Sequence, residues 1–234
     1  MHKLTQFRLC PHSRSIRLAL DELSIEVELV EEQPWQWRAE FLALNPAGEL
    51  PVLQMSDGTL LCGAYSISEY IAEQVKKHPG DGGMVPLFPG NREDRAEIRR
   101  LIDWFHGKMD REVTRDLLFQ KVHARFSSSS TTPAPAPDTS ILRALRANLG
   151  YHLSYVAFLA GQRRWLAGEE LSFADLAAAA HFSVLDYLGE VPFERYPDAK
   201  IWYQRIKSRK SFRPLLADRI SSLPPPIAYS DLDF

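Results

Sequence analysis

The sequence predicts an α+β/α chain: a mixed strand-and-helix unit over 1–82, an all-helical unit over 91–222, and an extended tail over 223–234. Three patterns carry this reading. A strand, helix, strand succession opens the chain, a hairpin followed by a helix completes the first unit, and beyond residue 91 apolar residues recur at helical spacing with no strand signal.

Residues 3–9 (KLTQFRL) alternate apolar and polar side chains as a half-buried strand does, and Cys10-Pro11-His12 turns into a helix. Over 13–23, Ile16, Leu18, Ala19, Leu20 and Leu23 recur at helical spacing, which places Arg14, Arg17, Asp21 and Glu22 on the solvent side. Residues 25–30 (IEVELV) alternate again, so the first roughly thirty residues form a βαβ unit with a parallel strand pair. Strands at 51–55 and 59–62 flank Ser56-Asp57-Gly58, a hairpin turn, and 66–75 follow as a helix. The order βαβ then ββα is that of a thioredoxin-like fold.

The second unit begins with helical patterns at 91–126 and 139–166. Between them, 127–138 (SSSSTTPAPAPD) is too rich in Ser, Thr and Pro to pack a core and is expected to be a flexible, partly polyproline-like loop. Ser172 and Asp175, three residues apart, form a capping box for an apolar helix over 176–187. Tyr196-Pro197 stops a segment, and further helices follow at 199–208 and from 212. The tail, LPPPIAYSDLDF, begins with a proline run.

At 234 residues the chain can bury two modest cores, and a net charge of −2 gives no global attraction to nucleic acid or anionic lipid. No stretch approaches the roughly 20 apolar residues that span a bilayer, and no signal peptide opens the sequence, so a cytoplasmic chain without membrane insertion is expected. Cys10 and Cys62 are too few for a disulfide framework and lack metal-ligand spacing; no metal is expected.

CPHSRSIRLALDE, NPAGELPVL and SISEYI in the first unit, and LFPGNREDRAEIRRLIDWF, RRWLAGEELSFADLAAAAHF and ERYPDAKIWYQRIKSRKSFRPLL in the second, resemble the glutathione transferase superfamily in the correct order. The resemblance implies a thioredoxin-like domain, an α-helical domain and commonly a homodimer. It also implies where glutathione would sit. Leu50 precedes Pro51, the family's cis-proline, and offers backbone groups to the glutathione peptide; a Glu-Ser pair begins the next helix and holds the γ-glutamyl end. Gly63 and Ala64 stand at that pair here. A hydrogen bond to a charged group is worth about 1.5–3 kcal/mol, so losing two lowers affinity roughly a hundredfold or more. Glutathione binding is therefore expected to be weak or absent, and no other cofactor is implied.

In this family a residue near the start of the first helix handles the glutathione sulfur; Cys10 and Ser13 occupy such positions, making an enzyme the competing reading. A helix N-terminus stabilises a thiolate, whereas a free cysteine is often a small buried hydrophobe and no second thiol follows in CPHS. His12 reads as an exposed turn histidine.

With the pocket depleted, the surface carries the remaining signal. Trp35, Trp37 and Arg38 follow the second strand, and Trp and Arg are enriched in interface hot spots. Arg111, Glu112, Arg115 and Asp116 put like charges at i,i+4, which gain nothing for the helix. Tyr229, Asp231, Leu232 and Phe234 give the tail aromatic and acidic anchors, expected to dock on the chain itself while building a composite surface. This combination is similar to glutathione-transferase-like bacterial division proteins that bind polymers of the tubulin homologue FtsZ. It implies a non-catalytic, dimeric adaptor at the division site, contacting FtsZ through Trp35, Trp37, Arg38, Arg115, Asp231 and Phe234.

Overall fold

The computed structural model describes residues 1–76, 86–123, 126, 136–220 and 223–232. Phe234 and most of the Ser/Pro loop, 127–135, lie outside them. β1 (His2–Gln6) pairs in parallel with β2 (Val27–Glu31), Lys3 opposite Glu28, and antiparallel with β3 (Val52–Gln54), which pairs with β4 (Leu60–Cys62). The order β2-β1-β3-β4, with α1 (Pro11–Glu22) crossing between the parallel pair and α3 (Ala64–Lys76) closing the unit, is thioredoxin-like. The central strands bury Leu4 and Leu53, whereas β2 is an edge strand that leaves Leu29 and Val30 exposed.

A short helix missing from the sequence reading, α2 (Ala39–Leu44), sits between β2 and β3 and anchors itself through Phe41, its one buried residue. Its six residues are too few to register a helical period.

The helical unit starts at α4 (Arg92–Ile102), where Asn91 and Asp94 form a capping box. The same helix continues through a π-wound stretch (Asp103–Thr114), one α turn, α5 (Arg115–Leu118), and a second π-wound stretch (Phe119–His123). Then come α6 (Thr139–Gln162), α7 (Phe173–Tyr187), α8 (Pro197–Lys207) and α9 (Arg213–Leu216). Ser172 and Asp175 form the expected capping box on α7. Pro197, read as a stop, instead occupies the first turn of α8, where its missing N–H costs nothing.

The π winding corrects the reading of the charged run. Arg115 pairs with Asp110 (3.3 Å), five residues back, and Glu112 accepts from both Lys108 and the His152 ring (3.0 Å). Arg115 and Glu112 thus each find a partner of opposite charge or a hydrogen-bond donor, and the wider turn aligns the Arg115–Asp110 pair.

α1 packs against both α3 and α7, so more than one of its faces is covered. Arg14 and Arg17, expected in water, are buried and converge on Asp218 (3.2 and 2.8 Å). The tail is not extended throughout: Ile227–Ser230 form a 3-10 turn whose Tyr229 is fully buried, donating to the Leu215 carbonyl (2.9 Å) and accepting from Arg14 (3.2 Å). Self-docking of the tail is therefore observed at Tyr229. Among the described residues no helix is long and apolar enough to cross a membrane.

Candidate functional site

Two clefts open where the thioredoxin-like unit meets the π-wound helix. The smaller, about 650 Å³, is bounded by Cys10, His12, Trp35, Trp37, Asp110 and Arg115; the other, about 690 Å³, lies over Leu50, Gly63, Ala64, Tyr65, Ser66 and Asp103. His12 and His106 border both.

The second cleft contains the positions matched to the glutathione site. Leu50-Pro51 is a cis peptide, and the Pro51 carbonyl accepts from Gly63 N–H (2.9 Å), seating the start of α3. Gly63 lies at φ +84°, a conformation that strains any side chain, although a Cβ there would meet nothing within 4 Å. Glycine therefore relieves backbone strain while giving up the group that would grip an ammonium. Ala64 is buried and Ser66 turns its hydroxyl back to the Gly63 carbonyl (3.1 Å). Neither Gly63 nor Ala64 offers a side-chain donor or acceptor to this cleft.

At the first cleft, Cys10 is the N-cap of α1: its sulfur accepts from Ser13 N–H (3.4 Å) and remains half-buried in the wall. Ser13 is fully buried and its hydroxyl has no partner among the described residues, so it is withdrawn from any ligand. His12 is not an exposed turn residue. It is half-buried, stacks on His106 with ring centroids 4.4 Å apart, and sits 3.2 Å from the His106 carbonyl. Burial pulls its pKa down, but the Cys10 sulfur, the Asp110 carboxylate and the His106 carbonyl outweigh this and raise it.

His106 and His181 were missed by sequence reasoning. They lie far apart in the chain, and only α1, the π-wound helix and α7 together bring them beside His12. His106 Nδ1 meets His181 Nε2 at 3.1 Å, and burial holds both imidazoles well below the ordinary histidine range.

The tryptophans divide. Trp35 turns inward against Phe7 (5.0 Å, edge-on) and His123 (4.3 Å), a histidine sequence reading did not single out. Trp37 is 64% exposed, held at φ +50° by its N–H to the Pro34 carbonyl (3.2 Å). Gly48 lies directly under its indole: a Cβ there would come within 3.0 Å of the ring. Arg38 pairs with buried Glu32 (3.3 Å), and Arg115 lines the same cleft as Trp37. Asp231 is exposed just after the Tyr229 turn. A polar chain joins that turn to the strand ends beside the tryptophan loop: Ser230 to Arg219 (3.5 Å), the Arg219 carbonyl to Arg8 (2.9 Å), Arg8 to Glu31 (3.5 Å).

Burial depresses His123 to about 4. Its unfolded pKa is near 6.5, so between these values the unfolded chain binds the extra proton and stability falls as pH drops, by at most about 1.4 kcal/mol per pH unit from this group. His123→Phe is expected to flatten the pH dependence of the urea midpoint between about pH 6.5 and 4 without removing it, because His106 and His181 act in the same direction. An unchanged slope contradicts the assignment.

Two family models match: the N-terminal domain of glutathione S-transferase over residues 4–79 and its C-terminal domain over 114–210. The chain is 42% identical to FtsZ-localized protein A of Caulobacter vibrioides, covering 99% of this chain and 97% of that one. Among solved structures it is similar to a glutathione S-transferase from Sinorhizobium meliloti 1021 (47% identity, TM-score 0.92, all of both chains). It is also similar to FzlA from C. crescentus (41% identity, TM-score 0.92, 100% of this chain and 99% of that one). The chain belongs to the glutathione S-transferase family.

Proposed function

We propose that this chain is a non-catalytic adaptor that binds FtsZ filaments at the division site and promotes their curving and bundling during constriction. The observation that carries the reading is the contrast between two neighbouring clefts. Where glutathione would be gripped, Gly63 and Ala64 present backbone alone; at the adjoining cleft, Trp37 is held out to solvent over Gly48, and Arg115 lines the same cleft. An exposed aromatic and an arginine on the rim of one cleft are the chemistry of an interface hot spot. The relative named FtsZ-localized protein A supplies the partner class.

The adaptor works in the cytoplasm as a homodimer. Two copies give two filament contacts, and the second contact is strengthened by the effective concentration the first creates, which is a direct route to bundling. Trp37, Arg38 and Arg115 form one part of the contact surface, and Asp231 and Phe234 of the tail another. Trp35 acts by supporting the loop from below. Neither nucleic acid nor membrane insertion has a part in it.

An enzymatic reading is favoured by one observation, Cys10 half-buried beside His12 in a roomy cleft. On that reading the chain is a glutathione transferase or thiol reductase acting through Cys10, since Ser13 is enclosed.

One paired experiment separates the two. Wild-type protein is expected to pellet with GTP-assembled FtsZ and to give no measurable heat with glutathione. Protein left in the supernatant beside intact polymer overturns the adaptor. Conjugation of a nitroaromatic electrophile that Cys10→Ala abolishes overturns the absence of catalysis.

A further inference from the structure

We infer that His12, His106 and His181 form a transition-metal site, suited first to Zn²⁺, at the junction of the two domains. One ring nitrogen from each of the three lies within 4.8 Å of the others. They come from the first turn of α1, the π-wound helix and α7, so no local sequence spacing announces them.

The nitrogens already stand near ligating positions. Two imidazole nitrogens on a tetrahedral zinc, each about 2.0–2.1 Å from it, are about 3.3 Å apart. His106 Nδ1 and His181 Nε2 are 3.1 Å apart. The proton between those atoms is carried by His181 Nε2 and leaves when a cation binds, after which the two nitrogens need to separate by only about 0.2 Å.

The far nitrogens are held as outer partners of a metal site usually hold them. The Ser15 hydroxyl spends its proton on the His12 carbonyl (2.8 Å), so its oxygen accepts from His106 Nε2–H at 3.0 Å. That fixes the tautomer of His106, leaving the Nδ1 lone pair aimed at His181. Thr114 Oγ1 lies 2.9 Å from His181 Nδ1 and accepts from it when Nε2 is bound to metal. His12 completes the set by turning from its stacked position on His106 (4.4 Å between centroids), giving up the 3.2 Å contact of its Nε2 with the His106 carbonyl. Because His12 and His106 border both clefts, an ion has a way in, and water or an anionic ligand can reach a fourth position by the same route. Three protein ligands with one open position is the zinc arrangement found where exogenous ligands bind.

The test uses the whole protein, stripped with a chelator and titrated with Co²⁺ followed by Zn²⁺ competition. One Co²⁺ per chain is expected to give the visible absorption of a four-coordinate ion, and Zn²⁺ to bleach it. His181→Gln and His12→Gln are each expected to weaken binding at least tenfold, and Thr114→Val about tenfold. His12 lies half-buried at the cleft wall, so His12→Gln decides the matter if His181→Gln does not fold. Absence of saturable binding by the wild type, or wild-type affinity in His12→Gln, overturns the proposal.

Discussion

Asp175→Ala is expected to lose about 4 kcal/mol of folding stability, among the largest single losses available in this chain. The carboxylate is fully buried and takes four hydrogen bonds. Its Oδ1 accepts from Leu166 N–H (2.9 Å) and the Trp202 indole (3.0 Å), and its Oδ2 from Ser172 N–H and hydroxyl (3.1 Å each). Alanine leaves two buried backbone N–H groups and one indole N–H without acceptors, each costing about 1–3 kcal/mol, and unties the start of α7 from α8. Burial raises the Asp175 pKa in spite of these donors, so a neutral side chain is disfavoured less here than a charged one would be without them. Asp175→Asn is accordingly expected to lose about half as much, keeping one acceptor oxygen while turning an amide NH₂ against a Ser172 donor. Urea unfolding checks both; a loss below about 1 kcal/mol for the alanine variant would contradict the role given to this carboxylate.

Arg14→Met is expected to cost about 3–5 kcal/mol and, beyond that, to release the tail. The guanidinium is fully buried and spends its donors on four elements: the Arg8 carbonyl (2.6 Å), Ser183 on α7 (2.8 Å), Tyr229 in the tail (3.2 Å) and Asp218 (3.2 Å). Arg17 still holds Asp218 through two bonds, 2.8 and 3.1 Å, so that charge is not abandoned. Tyr229 keeps only the Leu215 carbonyl. Hydrogen exchange over 223–232 should therefore accelerate more than over α7. Tyr229→Phe, which leaves Arg14 three partners, is expected to cost about 1–2 kcal/mol. Protection of the tail unchanged in Arg14→Met contradicts the link. Because Asp231 lies only two residues after Tyr229, the same substitution should weaken the filament contact proposed for the tail from a position wholly inside the protein.

The parts of the fold legible in the sequence are those set by local chemistry. Alternation marked β1, NPAGELPVL led into the cis-proline strand, and Ser172 with Asp175 announced α7, which begins at Phe173, three residues before the helix start read from the sequence. What was not legible depends on tertiary context. Arg14 and Arg17 read as solvent-facing because one helix face usually is, and only α7 packed on that face, with Asp218 arriving from the far end of the chain, buries them. Likewise, i,i+4 reasoning turned Arg115 and Glu112 into repelling residues, since π winding with its i,i+5 pairs leaves no mark on spacing. The same holds for the site. The loss of side chains at Gly63 and Ala64 could be read directly, whereas His12, His106 and His181 meet only in three dimensions.

The central claim is that function has moved from the pocket to its rim. Pelleting with GTP-assembled FtsZ, measured for Trp37→Ala and Cys10→Ala beside the wild type, tests it most directly. Cys10→Ala should pellet like the wild type, and Trp37→Ala should bind at least tenfold more weakly, about 1.4 kcal/mol or more, with unchanged circular dichroism and oligomeric state. Wild-type pelleting by Trp37→Ala, or loss of pelleting in Cys10→Ala, would contradict the account.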